Sequence, residues 1–239
     1  MNDSLRKFAT TRWSVVVRAT DPSNEEAHAA MQELCESYWQ PLYSFVRGKG
    51  YGANEAADLT QGFFVHLLEK KVLEKTSQHR GKFRSFLLAC IQNFLNNEFD
   101  KNNAVKRGGR ITKLSLDMVD AELRFALHSK EPSPEVVFEK EWANSLLNRV
   151  NDRMQVAENA QRAEFEYSLN KFLTTEPTEN SYDEIATEFG MTRVAVRVAV
   201  FRLREKFRKI LREEVAQTIT DADSIEEEIS HLLDVLTSS

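Results

Sequence analysis

The chain reads as an all-α protein of two helical domains joined by a linker, and three observations carry that reading. Apolar residues recur at spacings of three and four along almost all of the 239 residues, the period of a helix with one buried face. Glycine and proline are scarce, 8 and 5, and fall mostly where those patterns begin or end. Between Ser181 and Arg204 the sequence SYDEIATEFGMTRVAVRVAVFRLR sets two short helical patterns around Gly190, the second far more basic than the first.

The elements follow in order. Residues 1–26 form an N-terminal extension in which Asp21-Pro22 supplies a cap and a first helical position. The first domain, 27–110, opens with a helix carrying Ala27, Ala30, Met31, Leu34 and Cys35, followed by a second stretch from Tyr38 to Val46. Gly48, Gly50 and Gly52 break the pattern, and Asn54 is the expected cap of a helix bearing Leu59, Phe63, Phe64, Leu67 and Leu68. Residues 71–82 read as a polar loop. From Phe83 to Phe99, the positions Phe86, Leu87, Cys90, Ile91, Phe94 and Leu95 mark an amphipathic helix that ends near the basic run 106–110.

Residues 111–132 are too irregular for a helix, are closed by Pro132 and the following Pro134, and read as the linker. The second domain, 133–215, restarts at Ser133-Pro134-Glu135, with Trp142, Leu146, Leu147, Val150 and Met154 on one face. A middle helix around Ala163 to Leu173 leads into the polar stretch TTEPTEN. Residues 216–239 are expected to form an acidic amphipathic helix on Ile225, Ile229, Leu232, Leu233 and Leu236. From 213 onward there are eight acidic residues and no Lys or Arg. Such a tail has three readings: a cap on the second domain, a mask over its basic helix, or a surface for a regulator.

The segment 181–204 has the chemistry of a helix-turn-helix. Ser181 and Glu184 are spaced as a capping box, with Ile185, Ala186 and Phe189 on the buried side. Gly190 suits the positive φ of a tight helix exit, and Thr192 suits the cap of the next helix. There Val196, Val200, Leu203, Phe207 and Ile210 form one buried stripe, with Arg193, Arg197 and Arg204 beside it. A capped helix presenting arginines from its first turns suits a DNA major groove.

Charge supports a polyanion partner. The net charge is -5, yet residues 191–212 carry eight Lys or Arg against Glu205 alone, and residues 76–113 carry eight against Glu98 and Asp100. Phosphate attraction is local, screened beyond ~8 Å, so two basic islands imply two contacts. No apolar run approaches the ~20 residues of a membrane helix, and MNDSLRKFATTRW has no signal-peptide core, so a cytoplasmic protein without a membrane partner is expected. Cys35 and Cys90 stand singly in helical patterns and read as buried thiols. The five histidines lack metal-ligand spacing and no glycine-rich phosphate loop occurs; no enzyme activity, cofactor, metal or small-molecule substrate is expected.

Together these pieces resemble the sigma-70 family of RNA polymerase initiation factors, in its extracytoplasmic-function subfamily. ADLTQGFFVHLLEK (57–70) is similar to the family's region 2.2 through Asp58, Leu59, Gln61 and Phe64. GKFRSFLLACIQNFLNNEFD (81–100) resembles regions 2.3 and 2.4 through Phe83, Arg84, Phe86, Leu87 and Asn93, with Asn97 where the family has aspartate. The helix-turn-helix resembles region 4.2, whereas 146–180 lacks the family's region 4.1 pattern. TRWSVV, KRGG with LSLD, and EEVAQTI resemble a planctomycete-type group.

The resemblance implies a region 2-like helical bundle at 27–110 and a region 4-like helix-turn-helix domain at 133–215. It implies core RNA polymerase and promoter DNA as partners, with an anti-sigma factor or other regulator as a further one. Asp58, Gln61 and Glu69 would face polymerase. Arg80, Lys82, Arg84, Asn93, Asn97, Lys101 and Arg107 would serve the minus-ten element, with the loop 77–80 capturing an unstacked base. Thr192, Arg193, Val194, Arg197, Arg202 and Arg204 would serve the minus-35 element. A helix-turn-helix repressor or activator that needs no polymerase is the alternative.

Overall fold

The computed structural model describes residues 25–69, 82–104, 116–128, 131, 133–155, 160–175, 178–219 and 224–238. These are helical, with no strand among the described residues. The chain divides into two compact units, one holding the residues up to Leu146 and from Val215 onward, the other Leu147–Glu214. Described residues from Glu25 to Leu146 and from Val215 onward therefore build one unit, and the helix-turn-helix pattern lies in the other. The expected cap at Asp21-Pro22, residues 71–81 of the expected loop and the basic run 106–110 lie outside the described residues.

In the first unit, α1 (Glu25–Gly48) is one helix where two stretches were expected, and it runs through Pro41. Proline there removes one N–H, but Tyr38, Leu42, Tyr43, Phe45 and Val46 are all buried around it, and their packing outweighs the lost bond. The helix closes with Lys49 N–H donating to the Phe45 carbonyl at 3.0 Å and Gly50, at φ 96°, donating to Arg47 at 2.9 Å. Gly48 lies so close to the following element that a Cβ there would stand 3.1 Å from the Pro134 ring.

Helix α2 (Ala53–Glu69) buries Ala56, Thr60, Phe63, Phe64 and Leu67. Its first turn is held by Ala56 N–H on the Gly52 carbonyl at 2.8 Å, so Gly52 precedes the helix and the expected cap, Asn54, is an exposed first-turn residue. Helix α3 (Phe83–Ala104) buries Phe83, Leu87, Ile91, Phe94 and Leu95, and runs past the expected end at Phe99. Phe63 meets Phe94 at 5.8 Å between ring centres, and Tyr38 meets Phe83 edge-on at 5.3 Å, which ties α1, α2 and α3 into one aromatic core. Cys35 and Cys90 are half-buried, less than expected; desolvation pushes the Cys90 thiol up to about 11.

Residues expected to be linker contain helix α4 (Leu116–His128), whose existence rests on distant partners. Glu122 accepts from Arg47 Nε at 2.6 Å and from Nη2 at 2.9 Å, and also from the Tyr43 hydroxyl. Those bonds hold the Glu122 carboxyl below its ordinary value, the Arg47 contact contributing most. The Ala121 carbonyl accepts from Gln40, and the Arg47 guanidinium lies 4.7 Å from the Phe125 ring centre.

Helix α5 (Pro134–Met154) begins as expected, with Ser133 Oγ accepting from Val136 N–H at 3.3 Å and Pro134 in the first position. Its first half, through Val137, Phe138, Trp142 and Leu146, belongs to the first unit and its remainder to the second. The expected start of the second domain at 133 is therefore displaced into the middle of a helix. The C-terminal helix, labelled α10 here (Ile225–Thr237), also belongs to the first unit.

Helix α10 is fastened by charge inside the fold. Glu228 is fully buried and pairs with Arg84, itself 2% exposed, and with Lys82 Nζ at 2.8 Å. Arg84 Nε donates to Glu139 at 2.8 Å, its guanidinium lies 4.2 Å from the Trp142 ring centre, and His231 is 3.2 Å from the same Glu139 oxygen. Burial pushes the Arg84 guanidinium down from its ordinary value, and Glu139 opposes that shift. The tail's helix is thus seated on α3 and α5 within the first unit.

Two outcomes follow from buried charge. Removing one member of such a set leaves another uncompensated, so Glu228→Ala should cost about 3 kcal/mol, read as a lower midpoint in denaturant unfolding followed by circular dichroism. Glu141 is 2% exposed, and burial raises its carboxyl from 4.5 to about 7. The folded state then holds a proton that the unfolded state has released, so this group's contribution to stability falls as pH rises from 4.5 to about 7. Glu141→Gln should flatten that decline, gaining on the order of 2 kcal/mol over wild type at pH 8 relative to pH 4.5, checked by urea unfolding at both values.

Candidate nucleic-acid interface

The second unit is built from the end of α5, α6 (Ala160–Leu169), α7 (Lys171–Thr174), α8 (Glu179–Glu188) and α9 (Arg193–Ala216). Helix α8 is capped one turn earlier than expected: Thr178 Oγ1 accepts from Ser181 N–H, so Ser181 lies inside the helix and the Ser181–Glu184 capping box does not form. Ile185 and Ala186 are buried as expected, while Phe189 is half-buried and edge-on to Phe165 at 5.2 Å.

The turn between α8 and α9 follows the expected chemistry. Gly190 sits at φ 61°, its N–H reaching the Thr187 carbonyl at 3.4 Å, while Met191 N–H donates to the Ala186 carbonyl at 2.8 Å. This paired closure leaves few carbonyls orphaned and demands the left-handed backbone that glycine adopts without strain. Thr192 then caps α9, its Oγ1 accepting from Ala195 N–H at 3.2 Å and its carbonyl from Val196. Val196, Val200, Leu203 and Ile210 are buried along one side of α9, with Phe207 half-buried, as the stripe predicts.

The basic residues of α9 divide into two groups. Arg204 does not face outward as expected: its Nε donates to the Phe172 carbonyl at 2.9 Å and its Nη2 to Thr175 at 3.4 Å, at the C-terminal end of α7. Lys206 Nζ donates to the Met154 carbonyl at 2.9 Å, the end of α5. Both place a cation where a helix gathers partial negative charge. Arg208 pairs with Glu205 at 2.7 Å, and Arg193 stands 3.8 Å from Asp183. Arg197, Arg202, Lys209 and Arg212 are exposed. At the other end of the helix, Glu214 is buried beneath Arg149 at 3.2 Å and Arg153 at 2.8 Å.

Val194, Val198 and Phe201 are exposed on α9 as well. Only Val194 was expected at the surface; the sequence signal for the other two is that VAVRVAVF holds more apolar residues than one buried stripe can take. Beside them an open groove of about 840 Å3 is floored by Phe165, Leu169, Phe189 and Leu203, with Arg202 and Lys206 among its lining residues.

In the first unit the expected contact residues separate. Asp58 and Gln61 are exposed on α2, on the side away from buried Phe63 and Phe64. Asn93 and Asn97 are exposed one turn apart on α3. Arg84 is not on the surface; the Glu228 and Glu139 carboxylates hold it inside, and Lys82 shares Glu228. The expectation for Arg84 rests on the motif resemblance of residues 81–100; an aromatic ring and two carboxylates make its burial tolerable instead. The side chains of Glu69 and Lys101, and Arg80, Arg107 and the loop 77–80, lie outside the described residues.

No protein-family model, curated protein or solved structure matches this chain.

The two groups of cations should separate in unfolding measurements. Arg204→Ala removes the charged donor from two carbonyls and should cost about 1 to 2 kcal/mol of stability in urea. Arg197→Ala, on the open face of the same helix, should stay within about 0.5 kcal/mol of wild type.

Proposed function

We propose that the protein is a transcription initiation factor of the sigma type, which binds core RNA polymerase, brings it to promoters and assists strand opening. The observation that supports this most is the α8–Gly190–α9 turn, capped at both sides of the bend and presenting Arg197 and Val194 from the exposed first turns of a basic helix. That shape and charge suit the major groove, where one bidentate arginine–guanine contact is worth ~1 to 3 kcal/mol of discrimination. Arg193, Arg197 and Val194 would read the minus-35 element, with Thr192 setting the helix start and Arg202 nearer phosphate.

The remainder of the reading rests on the order of the sequence motifs. The unit holding α1 to α3 would act as the region 2-like body and the α8–α9 unit as the region 4-like one. Asp58 and Gln61, exposed on α2, would form the polymerase-facing surface. Asn93 and Asn97 would meet the opened minus-ten strand, with Arg80, Lys101 and Arg107 supplying cationic contacts. Unstacking a base costs a few kcal/mol, which such contacts offset. No helix among the described residues is long and apolar enough to cross a membrane; action on promoters places the protein in the cytoplasm.

Transcription with purified core polymerase over fragments of the source genome tests the reading. Discrete start sites that require the protein are expected, and Asp58→Arg should reduce them roughly five-fold, about 1 kcal/mol, through weaker core association. Sequence-specific DNA binding with no protein-dependent start would instead assign a helix-turn-helix repressor or activator.

A further inference from the structure

We propose that Val194, Val198 and Phe201 form a thymine-reading row, taking 5-methyl groups in the major groove of duplex DNA; this rests on the DNA-binding reading of α9. The three side chains are 70, 43 and 64% exposed. Their spacings of four and three place them on one face, across the helix from the buried Val196, Val200, Leu203 and Ile210. Val194 and Phe201 therefore lie outside the core of the unit and Val198 edges the groove beside it, each leaving apolar surface in water.

Their surroundings select the occupant. Arg197 flanks the row; one turn beyond Phe201 on the same side stands the exposed Glu205, paired with Arg208, and two to three turns beyond come Arg208, Lys209 and Arg212, all exposed, so that cations outnumber the one acid around the row. An apolar row framed by cations calls for a polyanion that carries apolar groups on the surface it offers. Duplex DNA is one: its phosphates meet the cations, and the thymine methyl is the apolar group of the major-groove edge. The lengths also agree, since Val194 to Phe201 spans ~10 Å of helix, about three base-pair steps. With Arg197 suited to guanine, the row adds a demand for thymine at neighbouring positions, on either strand.

The test uses the full chain and duplexes selected by it from a random library. Each thymine of an enriched duplex is replaced singly by deoxyuridine, which deletes the methyl group and leaves every hydrogen-bonding edge intact. Wild type should lose roughly four-fold in affinity at up to three clustered positions, the change corresponding to about 0.8 kcal/mol per buried carbon. Val194→Ala, Val198→Ala and Phe201→Ala, each checked for retained helix by circular dichroism, should each abolish the penalty at one position and keep the others. Insensitivity at every thymine, or penalties unchanged in all three variants, overturns the row while leaving DNA binding in place. If the variants instead lose core polymerase and keep the deoxyuridine penalties, the row is a protein-docking surface and the proposal is likewise overturned. Enrichment of no duplex overturns the DNA-binding reading itself and this inference with it.

Discussion

The first unit depends on the burial of one guanidinium. Arg84 sits on the Trp142 ring between Glu139 and Glu228, so a single side chain joins α3, α5 and α10, elements separated by dozens of residues. Taking a charge from water costs several kcal/mol, and the attraction of its partners offsets that only when all are in place. A helix held this way is unlike one held by apolar contact alone, which weakens by degrees. Here the seat of α10 is complete or strongly unfavourable, which gives the C-terminal segment a defined position. Backbone geometry adds to it, since Phe83 N–H donates to the Thr218 carbonyl beside the charged cluster.

The same physics explains which parts of the fold were legible in the sequence. Helices whose burial follows from their own spacing could be read directly: the stripe from Val196 to Ile210, the Ser133-Pro134 start, and the Gly190–Thr192 turn all appear where local chemistry places them. Helix α4 could not, because Glu122 and Phe125 owe their order to Arg47 and Tyr43, more than seventy residues away. The α8 cap was displaced by one turn because Thr178 and Ser181 are both good caps three residues apart, and local preference does not separate them. Arg84 and Glu228 share a further difficulty. Each is a charged residue in an amphipathic pattern, and only their meeting in the fold makes an interior position tolerable for either.

Candidate contact residues were legible to the extent that exposure follows from helical phase. Asp58, Gln61, Asn93, Asn97 and Arg197 are exposed where their spacing puts them. Arg204 was misread for a reason its own helix does not contain: the end of α7 presents two carbonyls at the reach of its guanidinium. Val198 and Phe201 posed the reverse problem. Apolar residues in an amphipathic helix are assigned to its interior, and the surplus in VAVRVAVF becomes evident only on counting how many positions one buried face can hold.

Arg204 and Lys206 also separate two roles that a count of local charge merges. A cation that donates to helix-terminal carbonyls keeps its charge, because those carbonyls carry only about half a unit of opposing charge between them. Both residues therefore still contribute to the positive field of α9, whereas Arg208 is partly cancelled by Glu205. What Arg204 and Lys206 give up is N–H donors, which already point at protein oxygen. The field that a polyanion would meet at the helix is thus set by nearly all the cations of 191–212. On the proposed reading, discrimination among base edges needs oriented donors and shaped apolar surface on the open side, and there it would fall to Arg197 and the exposed apolar side chains beside it, with Arg202 nearer phosphate.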